Sequence, residues 1–140
     1  MQIGEPSYLS AESGAIVVSD FRAADIALGG QGAPIATYFH KQIFGKVKKT
    51  ISVHNLGGIS NLSLIQNCEL IQGFDTGPAN MLIDMAIKIY SKEKKQFDKN
   101  GNWARQGNIN LKLVNKMLAH KYFKIKPPKS CGREEFGEIF

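Results

Sequence analysis

A chain of 140 residues with 43% hydrophobic side chains has the size of one ordinary domain and enough apolar material for a core. Its formal charge of +6 invites an anionic partner, yet the lysines gather only at Lys46, Lys48, Lys49 and at Lys92, Lys94, Lys95, Lys99, in loop-like stretches without interleaved aromatics, which argues against a nucleic-acid platform. Cys68 and Cys131 fit neither a disulfide framework nor a zinc site, no apolar run is long enough to span a bilayer and no secretory leader opens the chain, so a cytoplasmic protein with reduced thiols is expected.

In chain order, the opening QIG reads as strand-like and the closing GREEFGEIF as the start of an element, so the chain reads as part of something larger. YLSAESG suits a brief helix ended by Gly14, and the β-branched run AIVVSDF (15–21) suits a strand. RAADIALGGQGAP then predicts a short helix and a glycine loop able to bring bare N–H groups to a ligand. PIATYFHKQIF predicts an amphipathic helix with Pro34 at its first position. The middle predicts a β-meander: strands 50–56, 60–65 and 69–74 joined by turns at Gly57-Gly58 and Gln66-Asn67. A helix from Pro78 to about Lys92 follows, apolar nearly all round and therefore expected to lie buried against a sheet. INLKLVNKMLAH predicts another helix beyond a charged connection.

Several stretches could carry chemistry. In NLGGISN, Gly57 and Gly58 with Asn55 and Asn61 could offer N–H groups to phosphate, and a side chain at Gly58 would oppose positive φ and block close approach; an ordinary hairpin also favours Gly-Gly. In GFDTGPAN, Asp75 stands at a strand end, where it could act as a general base, or Asp75 or Thr76 could cap the helix that follows Gly77. Asp20, Arg22 and Asp25 ahead of Gly30, Gln31 and Gly32 are either a surface charge pair or a set that binds sugar hydroxyls or a carboxylate. Lys129, Ser130 and Arg133 in KPPKSCGREEF are either an anion site or a proline-stiffened loop before a helix. His40 and His120 read as helix-face residues and His54 as a hydrogen-bonded core residue; no metal-ligating spacing, nucleophile elbow or Walker loop occurs.

Taken in order, VVSDFRAADIALGGQGAP, NLGGISNLSLI, GFDTGPANMLIDMAI, FDKNGNWARQG and PPKSCGREEF closely resemble the anhydro-N-acetylmuramic acid kinase family over nearly the whole chain. The resemblance implies an α/β chain with the actin-like, sugar-kinase and Hsp70-type (ribonuclease H-like) fold, whose two lobes clasp ATP. Here it would be incomplete, with residues 1–48 ending the first lobe and the sugar-side loop and 49–140 beginning the second. It implies ATP and Mg2+ as cofactors and an anhydro-amino-sugar as substrate, whose 1,6-anhydro ring is opened by water while O6 is phosphorylated. It assigns Asp75 as the base, Asp20, Arg22, Asp25, Gly30, Gln31 and Gly32 to the sugar side, and Asn55, Gly57, Gly58, Asn61 and Gly77 to the nucleotide. Asp20 or Asp25 is the rival base. A homodimer is implied for the full-length family, with neither nucleic acid nor membrane as partner. Family members also carry a glycine-rich GTS-x-DG loop and an adenosine segment that these residues do not contain, so a central portion inactive by itself is expected. A non-catalytic remnant that keeps a phosphate hairpin or an oligomer contact is the second reading.

Overall fold

The computed structural model describes residues 4–137, which fall into two compact units divided between Gly32 and Ala33. Gln2 and Ile3 of the QIG opening and residues 138–140 of GREEFGEIF lie outside the described residues. In the first unit, helix α1 (Pro6–Ser13) starts with the Glu5 carboxylate accepting from the Ser7 N–H at 3.3 Å. It ends at Gly14, whose φ of 64° lets its N–H reach the Ser10 carbonyl at 2.9 Å. Helix α2 (Ala23–Ala27) follows as expected. The strand expected over 15–21 does not form: among the described residues every strand lies in the second unit, and Ile16 stands 96% exposed. β-Branched residues favour extended backbone, but a strand needs a neighbour to take its N–H and C=O groups.

The second unit opens with α3 (Ala36–Phe44), which begins two residues later than Pro34; the Pro34 carbonyl accepts instead from the Thr37 hydroxyl at 3.1 Å. The meander follows: β1 (Thr50–Leu56), β2 (Ile59–Gln66) and β3 (Glu69–Pro78), antiparallel in the order β1-β2-β3. The first turn falls at Gly57-Gly58 as expected, the second falls one residue later than expected, at Asn67-Cys68, where both residues take positive φ, and β3 runs four residues past Phe74. Its pairing continues through Ser60 with Gly77 and Ile59 with Pro78, and the register shift at Ser60/Asn61 is bridged by the Thr76 hydroxyl donating to the Ser60 carbonyl at 3.1 Å. Pro78 is tolerated because β3 is an edge strand, where a missing N–H costs no ladder bond.

Helix α4 (Asn80–Tyr90) therefore starts at Asn80, and neither Asp75 nor Thr76 caps it. Its first N–H groups are taken by main-chain carbonyls of the β1–β2 turn: Ala79 and Met81 donate to Gly58 at 2.9 and 3.1 Å, and Asn80 to Gly57 at 3.0 Å. The Asn80 amide adds a bond to the Leu56 carbonyl at 2.9 Å. The expected burial of α4 does not occur. Only Ile87 is buried, while Ile83, Ile89 and Tyr90 are exposed, because the helix that lies on the sheet is α3, packed across β2 and β3. There His40 Nδ1 meets Ser63 Oγ at 2.8 Å, and Gly73 leaves room for the Thr37 methyl.

Helix α5 (Leu111–Leu118) is capped by Asn110, whose side-chain oxygen accepts from Leu113 N–H at 3.0 Å. A 3-10 turn (Lys121–Lys124) and the short helix α6 (Arg133–Phe136) are the last elements among the described residues. His120 caps that turn and does not face out from a helix, and His54 is exposed on β1 beside Ser52, 2.8 Å away, not in the core. Tyr122, Phe123 and Phe136 cluster at the end of β3, the Tyr122 and Phe136 rings edge-on with centroids 5.2 Å apart.

Candidate active site on strand β3

Strand alternation and register set the site. Asp75 on β3 is opposite Asn61 on β2, and Asn61 is opposite Asn55 on β1, so three polar residues from three strands and two separate motifs form one row across the sheet. Directly opposed residues share a face, and this is the face on which Ser63 meets α3. Asp75 is only 6% exposed. Asn61 places its Oδ1 in the interior without a hydrogen-bond partner, while Asn55 at the far end of the row is exposed.

Asp75 is fixed by residues remote in sequence. Its N–H donates to the Lys129 carbonyl at 3.0 Å, its carbonyl accepts from the Tyr122 hydroxyl at 2.6 Å, and its carboxylate Oδ2 accepts from the Cys131 N–H at 3.0 Å. Lys129 is buried, donating through Nζ to the Tyr122 carbonyl at 3.0 Å and lying 4.3 Å above the Tyr122 ring. KPPKSCG is thus the proline-stiffened loop of the two readings, and its lysine is spent inside the scaffold. Burial, first of all, pushes the Tyr122 hydroxyl well above the ordinary tyrosine range; its contact with Cys131 and the negative charges of Asp75 and Glu135 add to this, so it remains a donor. Burial also pushes the Cys131 thiol up, the Tyr122 contact pulls it down, and Asp75 raises it further. That thiol is not a nucleophile at neutral pH.

Gly77, buried beside Asp75, has φ of 143°, and a Cβ there would lie 2.9 Å from Phe123 Cε1. Gly57 and Gly58 differ from the expectation: neither has positive φ. A Cβ at Gly58 would meet only Met81 Cβ at 3.8 Å, and one at Gly57 the Ile59 carbonyl oxygen at 3.4 Å. Neither backbone conformation nor crowding demands glycine there, and a bare main chain is what a ligand approaching closely would need.

The remaining predicted residues belong to the first unit. Asp25 Oδ2 accepts from the Gly32 N–H at 2.7 Å and its carbonyl from the Gly30 N–H at 2.7 Å, so two N–H groups of the glycine loop close on Asp25. Gly30 packs on that carboxylate, and Gly32, with φ of 63°, packs on Ile26. Asp20 holds φ of 60° and its carbonyl starts the turn into α2, accepting from Ala23 at 3.2 Å. Arg22 and Gln31 are exposed, and among the described residues Arg22 makes no ion pair with either acid.

Sequence reasoning missed Tyr122 and Cys131 and left Lys129 open between an anion site and a stiff loop. No local spacing links them to Asp75, which lies 47 residues before Tyr122 and 56 before Cys131. The one available signal was the stiff Pro127-Pro128 step with a lysine next to it. Among the described residues no group of three metal-ligating side chains occurs, and no helix is long and apolar enough to cross a membrane.

A family model described as anhydro-N-acetylmuramic acid kinase matches residues 1–140. Curated proteins of that description are similar throughout. One from Shewanella sp. (strain MR-4) is 47% identical over 141 residues, which is all of this chain and 38% of the relative. Another from Shewanella denitrificans is 45% identical over the same share, and one from Aliivibrio fischeri is 46% identical over 97% of this chain and 36% of its own length. The chain thus spans well under half of these relatives. Its three-stranded antiparallel sheet followed by helices fits an incomplete version of the sugar-kinase and actin-like ATPase fold. By a match that runs its entire length, the chain belongs to the anhydro-N-acetylmuramic acid kinase family.

Proposed function

We propose that this chain is the central part of an ATP-dependent kinase that opens 1,6-anhydro-N-acetylmuramic acid with water and phosphorylates O6, giving N-acetylmuramate 6-phosphate in the cytoplasm. Asp75 takes a proton from the water as its oxygen bonds to the anomeric carbon; the bond from that carbon to O6 breaks, and O6 receives the γ-phosphoryl group of ATP, leaving ADP. The observation that carries this reading is the setting of Asp75, a buried carboxylate whose two main-chain groups and one carboxylate oxygen are each held by a hydrogen bond. With no side-chain cap on α4, helix capping does not account for Asp75.

Asn61 would serve beside it, its unpartnered Oδ1 accepting from the water or a sugar hydroxyl. Gly57 and Gly58 fit the nucleotide phosphates, since glycine is needed there by neither φ nor packing, and Asn55 and Gly77 complete that side. Mg2+ is assigned to the phosphates, because the described residues offer no cage of ligands for it. Asp20, Arg22, Gly30, Gln31 and Gly32 line the sugar side, with Asp25 shaping their loop. Residues 1–48 then end one lobe, residues 49–140 begin the other, and the whole protein is a homodimer.

The test replaces the matched 141 residues of the Shewanella MR-4 relative by this chain and follows sugar-dependent ADP release. The chimera turns over and the 140-residue chain alone does not. Turnover by the isolated chain at an ordinary kinase rate of roughly 1–100 per second would refute the division of labour proposed here.

A further inference from the structure

Within β3, both main-chain groups of Asp75 are taken by the segment 122–129. The N–H and C=O of one strand residue point the same way, so this segment lies along the free edge of β3 and serves as its partner where a fourth strand would run. Two residues after Lys129, the Cys131 N–H reaches the carboxylate itself. The two anchors are tied to each other, since Lys129 Nζ donates to the Tyr122 carbonyl and lies over its ring. Phe136, wholly buried against Tyr122, backs the arrangement.

We propose that Tyr122, Lys129 and Cys131 form a clasp of positioning residues that sets the direction of the Asp75 carboxylate, with the Tyr122 hydroxyl as its key member. This rests on the reading of Asp75 as the base. A simple edge cover would need only main-chain bonds. Here a buried hydroxyl is aimed at the carbonyl of the residue whose side chain Cys131, two residues beyond that segment, also holds, and burial keeps that hydroxyl protonated.

Tyr122→Phe removes only the oxygen and keeps the ring against Phe136. In the 140-residue chain, amide exchange followed by NMR should quicken at Asp75 and Cys131 by roughly fivefold to tenfold, the equivalent of one lost hydrogen bond, with Ser63 and Ile65 unchanged. In the chimera, the same change should lower kcat by about tenfold while KM for ATP stays within about twofold, the pattern of a misaimed base. Lys129→Met, which keeps the stem but not the bond to the Tyr122 carbonyl, should shift both readouts the same way and decides the matter if Tyr122→Phe does not fold. Equal quickening at all four amides, or unchanged kcat in a chimera that Asp75→Asn silences, overturns the clasp. If Asp75→Asn itself turns over at the parent rate, the base assignment falls and the positioning role falls with it, whatever the exchange rates show.

Discussion

Replacing Gly77 with Ala should destabilise the chain through both its backbone and its packing. With φ of 143°, Gly77 occupies backbone space that an L side chain enters at a cost of about 1–3 kcal/mol. The added Cβ would also lie 2.9 Å from Phe123 Cε1 and 3.4 Å from Cζ, and that ring is held by Tyr122 and the fully buried Phe136, so it cannot swing aside. Overpacking of this kind adds about 1–3 kcal/mol, for a sum of about 2–6 kcal/mol. Urea unfolding of the 140-residue chain, followed by circular dichroism, should show a midpoint lowered by roughly 1–3 M at an unchanged slope of about 2 kcal/mol/M. A midpoint within about 0.3 M of the parent would mean that the backbone at Gly77 adapts freely, and the argument that this glycine serves packing beside Asp75 would be wrong.

Asp75→Asn keeps an oxygen for the Cys131 N–H and leaves the bonds to Tyr122 and Lys129 intact, so stability should change by about 1 kcal/mol or less, read by the same urea curves. In the chimera it should cut turnover by about 10²- to 10⁴-fold, whereas Asp20→Asn and Asp25→Asn should leave ring opening measurable. At Gly58 a Cβ would make only an ordinary contact with Met81 Cβ at 3.8 Å and φ is not positive, so Gly58→Val should disturb folding little while KM for ATP rises far more than KM for the sugar in steady-state assays. Because burial raises the folded-state value of Tyr122 above its ordinary 10.0, the stability it contributes is complete below pH 10 and is lost as the pH climbs beyond it. Unfolding free energy measured from pH 8 to 11 should therefore fall more steeply for the parent than for Tyr122→Phe.

The meander was legible because Gly57-Gly58 and Gln66-Asn67 punctuate three runs of strand-forming residues, and α1 because Gly14 can only end it. The same logic failed at 15–21, where β-branched residues are present but no neighbouring strand is, and propensity without pairing leaves Ile16 in water. It failed again at Asp75-Thr76-Gly77-Pro78, which reads as a helix start in isolation. The register with β2 extends the strand across it, and α4 is capped by carbonyls that carry no sequence signal. Asn55 and Asn61 were singled out in one motif and Asp75 in another. That they form one row follows from the hairpin register, whereas the hold of Tyr122 and Cys131 on Asp75 is a long-range contact that no periodicity encodes.

The union of the Gly57-Gly58 turn with the first turn of α4 is made chiefly from peptide groups. Substitutions that alter side chains leave those peptide links standing, so turn and helix behave as a single stiff part. Anything bound at the turn therefore rests on main chain that continues, bond by bond, into the eleven residues of α4, and only a change that removes a donor N–H, such as a proline at Ala79 or Met81, would part the two.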